Sequence, residues 1–542
     1  MVNQDSFSKI FKILIFTYIF LFIIKIFNIG IISDYTHTYS HMGNAILNDR
    51  NFIENLIYEL KLYFFDLGFF RLVKIIQHLF GLINYIFVFK FIHFLIYGLI
   101  FIQIFKLTKN LLSTELAYLS LIILICLTQI TEYLDPFIAW PEAYAFSLII
   151  GFINISLFFK ILNKKKVNNL YILFNLFSYF YQEMAAPYAL LPLISYLILF
   201  INNQKIEKKS FLYFSNFMLY VTLKIILIFT NSEQTVAASS SLSLIYPESL
   251  YSAFFHALRT IPFTWLFVEG KFEEFQEYLF DNLLYLFLVF FVSYFLVNLI
   301  LKNLSNSSIL IRKNLYYFNL VGFYQIIFPI LLISVNQRYN IQISNHGLGH
   351  AHYLILSQCI GLSFILIIIF EKFKFFITKN KFSFSLILSI VLSINFLIGD
   401  FTSKKLEPKR HLYPYIFFEN IKTFVEDNSI NMFVIIDNEN SGFWENNRIL
   451  SSIFKKKINV YGNWMFNENK LNTIKTKKYE NTLLINKLNL NKNLHKANFC
   501  ILKSVEYNLN NNLVYTCFEN YSYESKIFLK YFIYSSSIKK IN

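Results

Sequence analysis

Charged residues are scarce: Asp, Glu, Lys and Arg make up 15% of the 542 residues, where a water-soluble chain carries about a quarter. That shortage excludes an ordinary soluble globular protein. Cysteine is nearly absent too, with four in all and no paired C-x-x-C spacing, so no thiolate metal site is expected. The chain has no Walker phosphate loop, no G-x-G-x-x-G, no H-E-x-x-H and no nucleophile elbow, which leaves ATP-driven transport and zinc proteolysis without support. No tandem repeat of fixed period is present.

Hydrophobic residues, by contrast, make up 56% of the chain, including 65 Phe and 37 Tyr. This composition excludes disorder as the main state. Lys, Asn, Ile, Phe and Tyr are inflated together while Ala, Gly and Arg are scarce, as an AT-rich coding bias would produce, so an isolated Phe, Asn or Lys carries little information. The net charge of +16 would suggest nucleic acid in a soluble protein. Here the placement of the lysines explains it better, and no nucleic-acid partner is expected.

A helical crossing of the hydrocarbon core needs about 20 apolar residues. Runs of that kind fall at 10–33, 82–106, 114–131, 143–162, 169–182, 187–202, 211–230, 281–301, 315–335, 352–371 and 383–400. The expected fold is mainly α, a polytopic bundle of about eleven spans over residues 1–400, followed by a small α/β domain over 401–542. Lysines cluster in alternate connections: Lys106 and Lys109, Lys164 to Lys166, Lys205 to Lys209, Lys302 to Lys313, and Lys372 to Lys381. The positive-inside rule places these, and the N-terminus, in the cytoplasm. The first run is too long for a cleaved signal peptide and reads as an uncleaved anchor. An odd number of spans sends the tail from Phe401 to the extracytoplasmic side, in a bacterial inner or plasma membrane. Cys500 and Cys517 could pair there. Runs 169–182 and 187–202 read as a hairpin turning near Gln182 to Tyr188, with Pro187 breaking the helix.

Polar residues at the bilayer edge are where chemistry on a lipid substrate would occur. Asp34 directly follows the first apolar run, and a carboxylate held there by a rigid helix can act as a general base or hold a divalent cation, the one cofactor the sequence suggests. The alternative is that Asp34 is only the first solvated residue. Arg71, Arg259 and Arg338 fall on the outer side, where the positive-inside rule gives no reason for positive charge, and are candidates for gripping phosphate. A lipid-headgroup contact or surface ion pair is the plain alternative. His346, His350 and His352, in Asn345-His346-Gly347-Leu348-Gly349-His350-Ala351-His352, could ligate a metal, but no acid or cysteine lies nearby. Phosphate binding by His346 and His350, or a solvated loop, is the stronger reading, and no metal ligand is assigned. Glu142 and Glu183 lie nearest the expected membrane surface and rank above Glu132 and Asp135, because carboxylates at membrane depth default to function.

The order of these features resembles the GT-C superfamily of membrane glycosyltransferases that use polyprenyl-phosphate-linked sugars, including the protein O-mannosyltransferases. Three pieces over residues 10–202 carry the likeness. They are Asp34 after the first span, Asp66-Leu67-Gly68-Phe69-Phe70-Arg71-Leu72 leading into a His-containing span, and Ala139-Trp140-Pro141-Glu142 followed by Tyr181-Gln182-Glu183-Met184 and Pro187. The sequence departs from that pattern in having a single acid beside Tyr35, Gln182 where Lys is common, and no proline after Arg71. The resemblance implies an inverting transfer of a sugar to a glycan, lipid or protein acceptor at the extracytoplasmic face. Asp34 would be the base, with Glu142 and Glu183 in the catalytic region, and Arg71, Arg259 or Arg338 would stabilise the leaving lipid phosphate. The sequence leaves open a lipid-linked oligosaccharide flippase or polymerase, or another non-catalytic polytopic membrane protein.

Overall fold

The computed structural model describes residues 4–24, 42–62, 71–81, 86–128, 144–182, 184–205, 208–230, 261–268, 270–304, 312–334, 355–403, 413–435, 447–462, 482–490, 494–507, 513–529 and 533–541. The chain is mainly helical, with one sheet in its C-terminal part. α1 (Gln4–Ile23) is followed by two short amphipathic helices, α2 (Phe52–Lys61) and α3 (Val73–Gly81). Apolar helices come next: α4 (Ile86–Leu111), α5 (Thr114–Leu127), α6 (Tyr144–Leu162), α7 (Leu170–Tyr181), α8 (Ala186–Ile201) and α9 (Ser210–Thr230). The amphipathic α10 (Phe272–Asp281) then precedes α11 (Leu283–Leu304), α12 (Arg312–Ser334), α13 (Ile355–Lys372) and α14 (Lys381–Phe401).

A described helix covers each of the eleven apolar runs in whole or in part. Four helices are long and apolar enough to cross a membrane, at Phe91–Leu111, Ala145–Leu162, Leu283–Leu304 and Lys381–Phe401. Shorter apolar helices lie at Lys12–Ile23, Thr114–Leu127, Leu170–Tyr181, Ala186–Ile201, Ser210–Ile226 and Leu315–Phe328. The chain divides into two compact bodies. The first takes the described residues within 1–27, 59–76 and 90–402, and the second those within 28–58, 77–89 and 403–542.

The first body is the helical bundle. α5 is apolar on every side and buried from Leu116 to Leu127, as expected of a helix enclosed by others. Its start is set by Ser113, whose Oγ accepts the Leu116 N–H at 3.2 Å. Small residues let α12 and α13 approach closely: a Cβ on Gly361 would lie 2.6 Å from the Gly322 carbonyl oxygen. Gly151 of α6 makes room for the ring of Tyr188 on α8 in the same way.

Asparagines tie the remaining helices together. Asn175 Nδ2 donates to Asn154 Oδ1 at 3.2 Å and to the Ala189 carbonyl at 2.8 Å, and Asn216 donates to Asn175 Oδ1 at 3.3 Å. Pro192, inside α8, removes one helical N–H. The Ala189 carbonyl in that stretch also accepts from the Tyr179 hydroxyl at 3.0 Å. Pro187 sits in the first turn of α8, where a missing N–H costs nothing. It therefore starts the second arm of the hairpin.

The second body contains α15 (Tyr413–Asn420), α16 (Lys422–Asp427), β1 (Met432–Ile435), α17 (Asn447–Phe454), β2 (Asn459–Gly462), β3 (Thr482–Leu490), β4 (Leu494–Tyr507), β5 (Leu513–Leu529) and β6 (Ile533–Ile541). The strands form one sheet in the order β2-β1-β3-β4-β5-β6, with β1 parallel to β2 and β3 and the others antiparallel. Phe417, Phe418, Phe433 and Phe499 are buried between helices and sheet, with the Phe499 ring stacked on Tyr521 at 5.5 Å. Cys500 and Cys517 form a disulfide between β4 and β5. The segment 42–58 belongs to this body as well: Asp49 pairs with Lys457, and Gly43 lies so close to Arg448 that a Cβ there would overlap its carbonyl oxygen.

Candidate functional site

Of the residues singled out in the sequence, Asp34, Glu142, Glu183, Arg259, Arg338, His346 and His350 lie outside the described residues, as do Glu132, Asp135 and His352. Arg71 is described. It is half-buried, directly before the first turn of α3, and its carbonyl accepts the Lys74 N–H at 3.0 Å. The next residue fixes its place, because the Leu72 N–H donates to the Phe180 carbonyl at the end of α7 at 3.1 Å.

Three stretches that are far apart in sequence meet here, all within the first body. Val73 of α3, Ile150 of α6, Tyr181 at the end of α7 and Ala185 before α8 form one buried apolar cluster, with Ile76, Phe146 and Phe174 packed on it. Beside it, Ser147 Oγ donates to Gln182 Oε1 at 3.4 Å. Gln182 is in extended conformation, and its carbonyl accepts the Ala185 N–H at 2.9 Å. This bond closes the bend between α7 and α8. The starts of α3, α6 and α8 and the end of α7 thus share one end of the bundle. The N-termini present N–H groups with partial positive charge, and the end of α7 presents carbonyls with partial negative charge.

A buried ion pair supports α3 from below. Lys74 Nζ lies 3.8 Å from Glu59 Oε2 of α2, and both side chains are less than a tenth exposed. In the second body, Asn55 Nδ2 and His78 Nε2 are 3.2 Å apart, and Phe52 packs edge-on against the His78 ring at 5.8 Å. Elsewhere in the bundle the Tyr285 hydroxyl hydrogen-bonds Asp400, a buried carboxylate in the last turn of α14.

None of these pairings was anticipated from sequence. The strong amphipathicity of FIENLIYELK and VKIIQHLFG gathers Asn55, Glu59, Lys74 and His78 onto the polar faces of their helices, but nothing in it says which of them pair. Asp400 gave no such signal, since one acid at the end of an apolar run looks like the first solvated residue beyond it.

Among the described residues no group of three His, Cys, Asp or Glu side chains converges to hold a metal ion. The arrangement anchors the backbone of Arg71 at the start of α3, and a guanidinium is the side chain best suited to grip phosphate through paired N–H donors. Compared with known proteins, the chain matches no family model, no curated protein and no solved structure.

Proposed function

We propose that the chain is a polytopic membrane glycosyltransferase that moves a sugar from a polyprenyl-phosphate carrier to an acceptor at the extracytoplasmic face. The observation that carries this reading is the Leu72–Phe180 hydrogen bond. It fixes Arg71 at the bundle end where α6 begins and where α7 turns into α8. In this reading all eleven apolar runs cross the bilayer, and the Lys-rich connections face the cytoplasm. The Cys500–Cys517 disulfide supports the same orientation, because such bonds persist in oxidising compartments.

Asp34 removes the proton from the acceptor hydroxyl, and that oxygen attacks the anomeric carbon as the bond to the lipid phosphate breaks, inverting the centre. Arg71 neutralises charge growing on the leaving phosphate, with Arg259, Arg338, His346 and His350 as further donors to the carrier. Glu142 and Glu183 are assigned to catalysis in the same reading. A divalent cation at Asp34 would add electrostatic stabilisation of the phosphate.

The test is binding of undecaprenyl phosphate to the purified protein in nanodiscs. Charge-assisted hydrogen bonds contribute about 1.5–3 kcal/mol each, so Arg71→Ala should weaken binding by roughly ten- to a hundredfold. Arg71→Lys should recover only part of it, because an ammonium cannot reproduce the bidentate fork. Unchanged binding in both variants would remove Arg71 from the site.

A further inference from the structure

α2 and α3 are built inside out by the standards of a water-exposed helix. On α2 the buried residues are Asn55 and Glu59, 1% and 6% exposed, whereas Ile53 and Ile57 are 64% and 47% exposed. On α3 the buried residues include Lys74, Gln77 and His78, and the exposed ones are Ile75 and Leu79, the latter at 51%. Each exposed pair is spaced i, i+4 and forms one stripe along its helix. A soluble protein places its apolar stripe inward and its charges outward, so both helices require an apolar medium on the outside.

We propose that α2 and α3 are interfacial helices, with the Ile53–Ile57 and Ile75–Leu79 stripes embedded in the surface layer of the lipid bilayer. The inference stands apart from the proposed reaction, since it uses only burial, spacing and length. At 1.5 Å per residue, the 10 and 9 residues of these helices reach about 15 and 14 Å. That is half of the hydrocarbon core of about 30 Å, so neither helix crosses it. The rim of α2 fits headgroup depth: Arg50 stacks on the exposed Tyr58 ring at 3.6 Å, and Glu54 and Lys61 are exposed. Tyrosine and snorkelling cations are the groups that sit at a membrane surface.

The membrane is also close along the chain. α4, which has the length and composition to cross a bilayer, begins five positions after α3 ends. Phe91, Leu95, Leu99 and Ile102 of α4 are exposed at helical spacings of four and three, as one apolar stripe. A polar partner protein would leave the four aliphatic side chains uncompensated, whereas lipid covers them without needing a complementary shape.

The test uses the full chain with single added cysteines, Ile57→Cys and Leu79→Cys, and Glu54→Cys as the rim control. The native thiols Cys126 and Cys359 are buried and Cys500 and Cys517 are bonded, so a bimane maleimide reports the introduced position, with the parent chain as the blank. The labelled proteins are reconstituted into mixed phosphatidylcholine and phosphatidylglycerol vesicles. Quenching is then measured with a phospholipid bearing doxyl near its headgroup and with aqueous iodide. Bimane at positions 57 and 79 should be quenched severalfold more strongly by the doxyl lipid than by iodide, with the ratio of doxyl to iodide quenching severalfold lower at position 54. Quenching of 57 and 79 by iodide alone would overturn the proposal by placing the stripes in water. Protection from both quenchers would overturn it by showing that protein, a second copy included, covers them.

Discussion

Lys74→Met is the perturbation that most sharply probes the support beneath Arg71. Lys74 and Glu59 are both almost fully buried, with 3.8 Å between their charged atoms. At an effective dielectric constant of about 20 their attraction is roughly 4 kcal/mol. Removing the lysine leaves a carboxylate in a site that excludes water, and losses of about 3–5 kcal/mol are usual for one member of such a pair. α3 begins at Val73, inside the apolar cluster with Ile150, Tyr181 and Ala185, so the loss should appear as local opening of residues 71–81 with the rest of the bundle intact. Hydrogen exchange measured by mass spectrometry reads this directly: each 1.4 kcal/mol speeds exchange tenfold, and protection should fall by roughly two to three orders of magnitude. Lys74→Met combined with Glu59→Gln should recover most of that protection, because the buried carboxylate that lost its lysine is then neutral. Effects of the two changes that add to within about 0.5 kcal/mol, or a single-variant change below threefold, would refute the argument that the pair holds α3 in place.

Three further outcomes concern the second body. Gly43→Leu places a side chain where the Arg448 carbonyl lies; the segment should leave its seat, and carbodiimide cross-linking of Asp49 to Lys457, which pair directly in the parent chain, should be lost. Thiol labelling of the denatured protein should rise by two groups after reduction, and Cys500→Ala with Cys517→Ala should cost about 3 kcal/mol for a loop of this size. Hydrogen bonds from Lys540 and Tyr521 hold the Glu519 carboxyl below its ordinary range. A depressed folded value means that the stabilisation is present above the unfolded value of about 4.3 and is lost as pH falls through the folded one. Protection of β5 and β6 should therefore decline in acid more in the parent chain than in Glu519→Gln.

The helices were legible because apolar runs of sufficient length have few alternatives. The ends of 169–182 and 187–202 agree with α7 and α8 to within a residue, since Lys-rich connections and Pro187 mark them. The pairing between helices was not legible. Asn154, Asn175 and Asn216 look like coding bias in a chain rich in asparagine, and only the fold shows that they bond one another. Likewise Lys74 and Glu59 are fifteen positions apart on separate helices, and a single sequence carries no trace of their contact. Arg71 could be singled out because arginine is scarce here, but its anchoring through Leu72 to Phe180 is a backbone bond that side-chain identity does not encode. The likeness to polyprenyl-phosphate enzymes rests on the order of motifs, several of which fall outside the described residues.

The most direct measurement is sugar transfer by the purified protein in vesicles, from a panel of radiolabelled undecaprenyl-phosphate hexoses, comparing the parent chain with Asp34→Asn. General-base catalysis contributes about 10²–10⁴-fold, so the variant should lose at least two orders of magnitude in rate while binding undecaprenyl phosphate as tightly as before. An active parent with a fully active Asp34→Asn variant would contradict the assigned base. Carrier binding with no transfer from any donor would contradict the transferase reading itself.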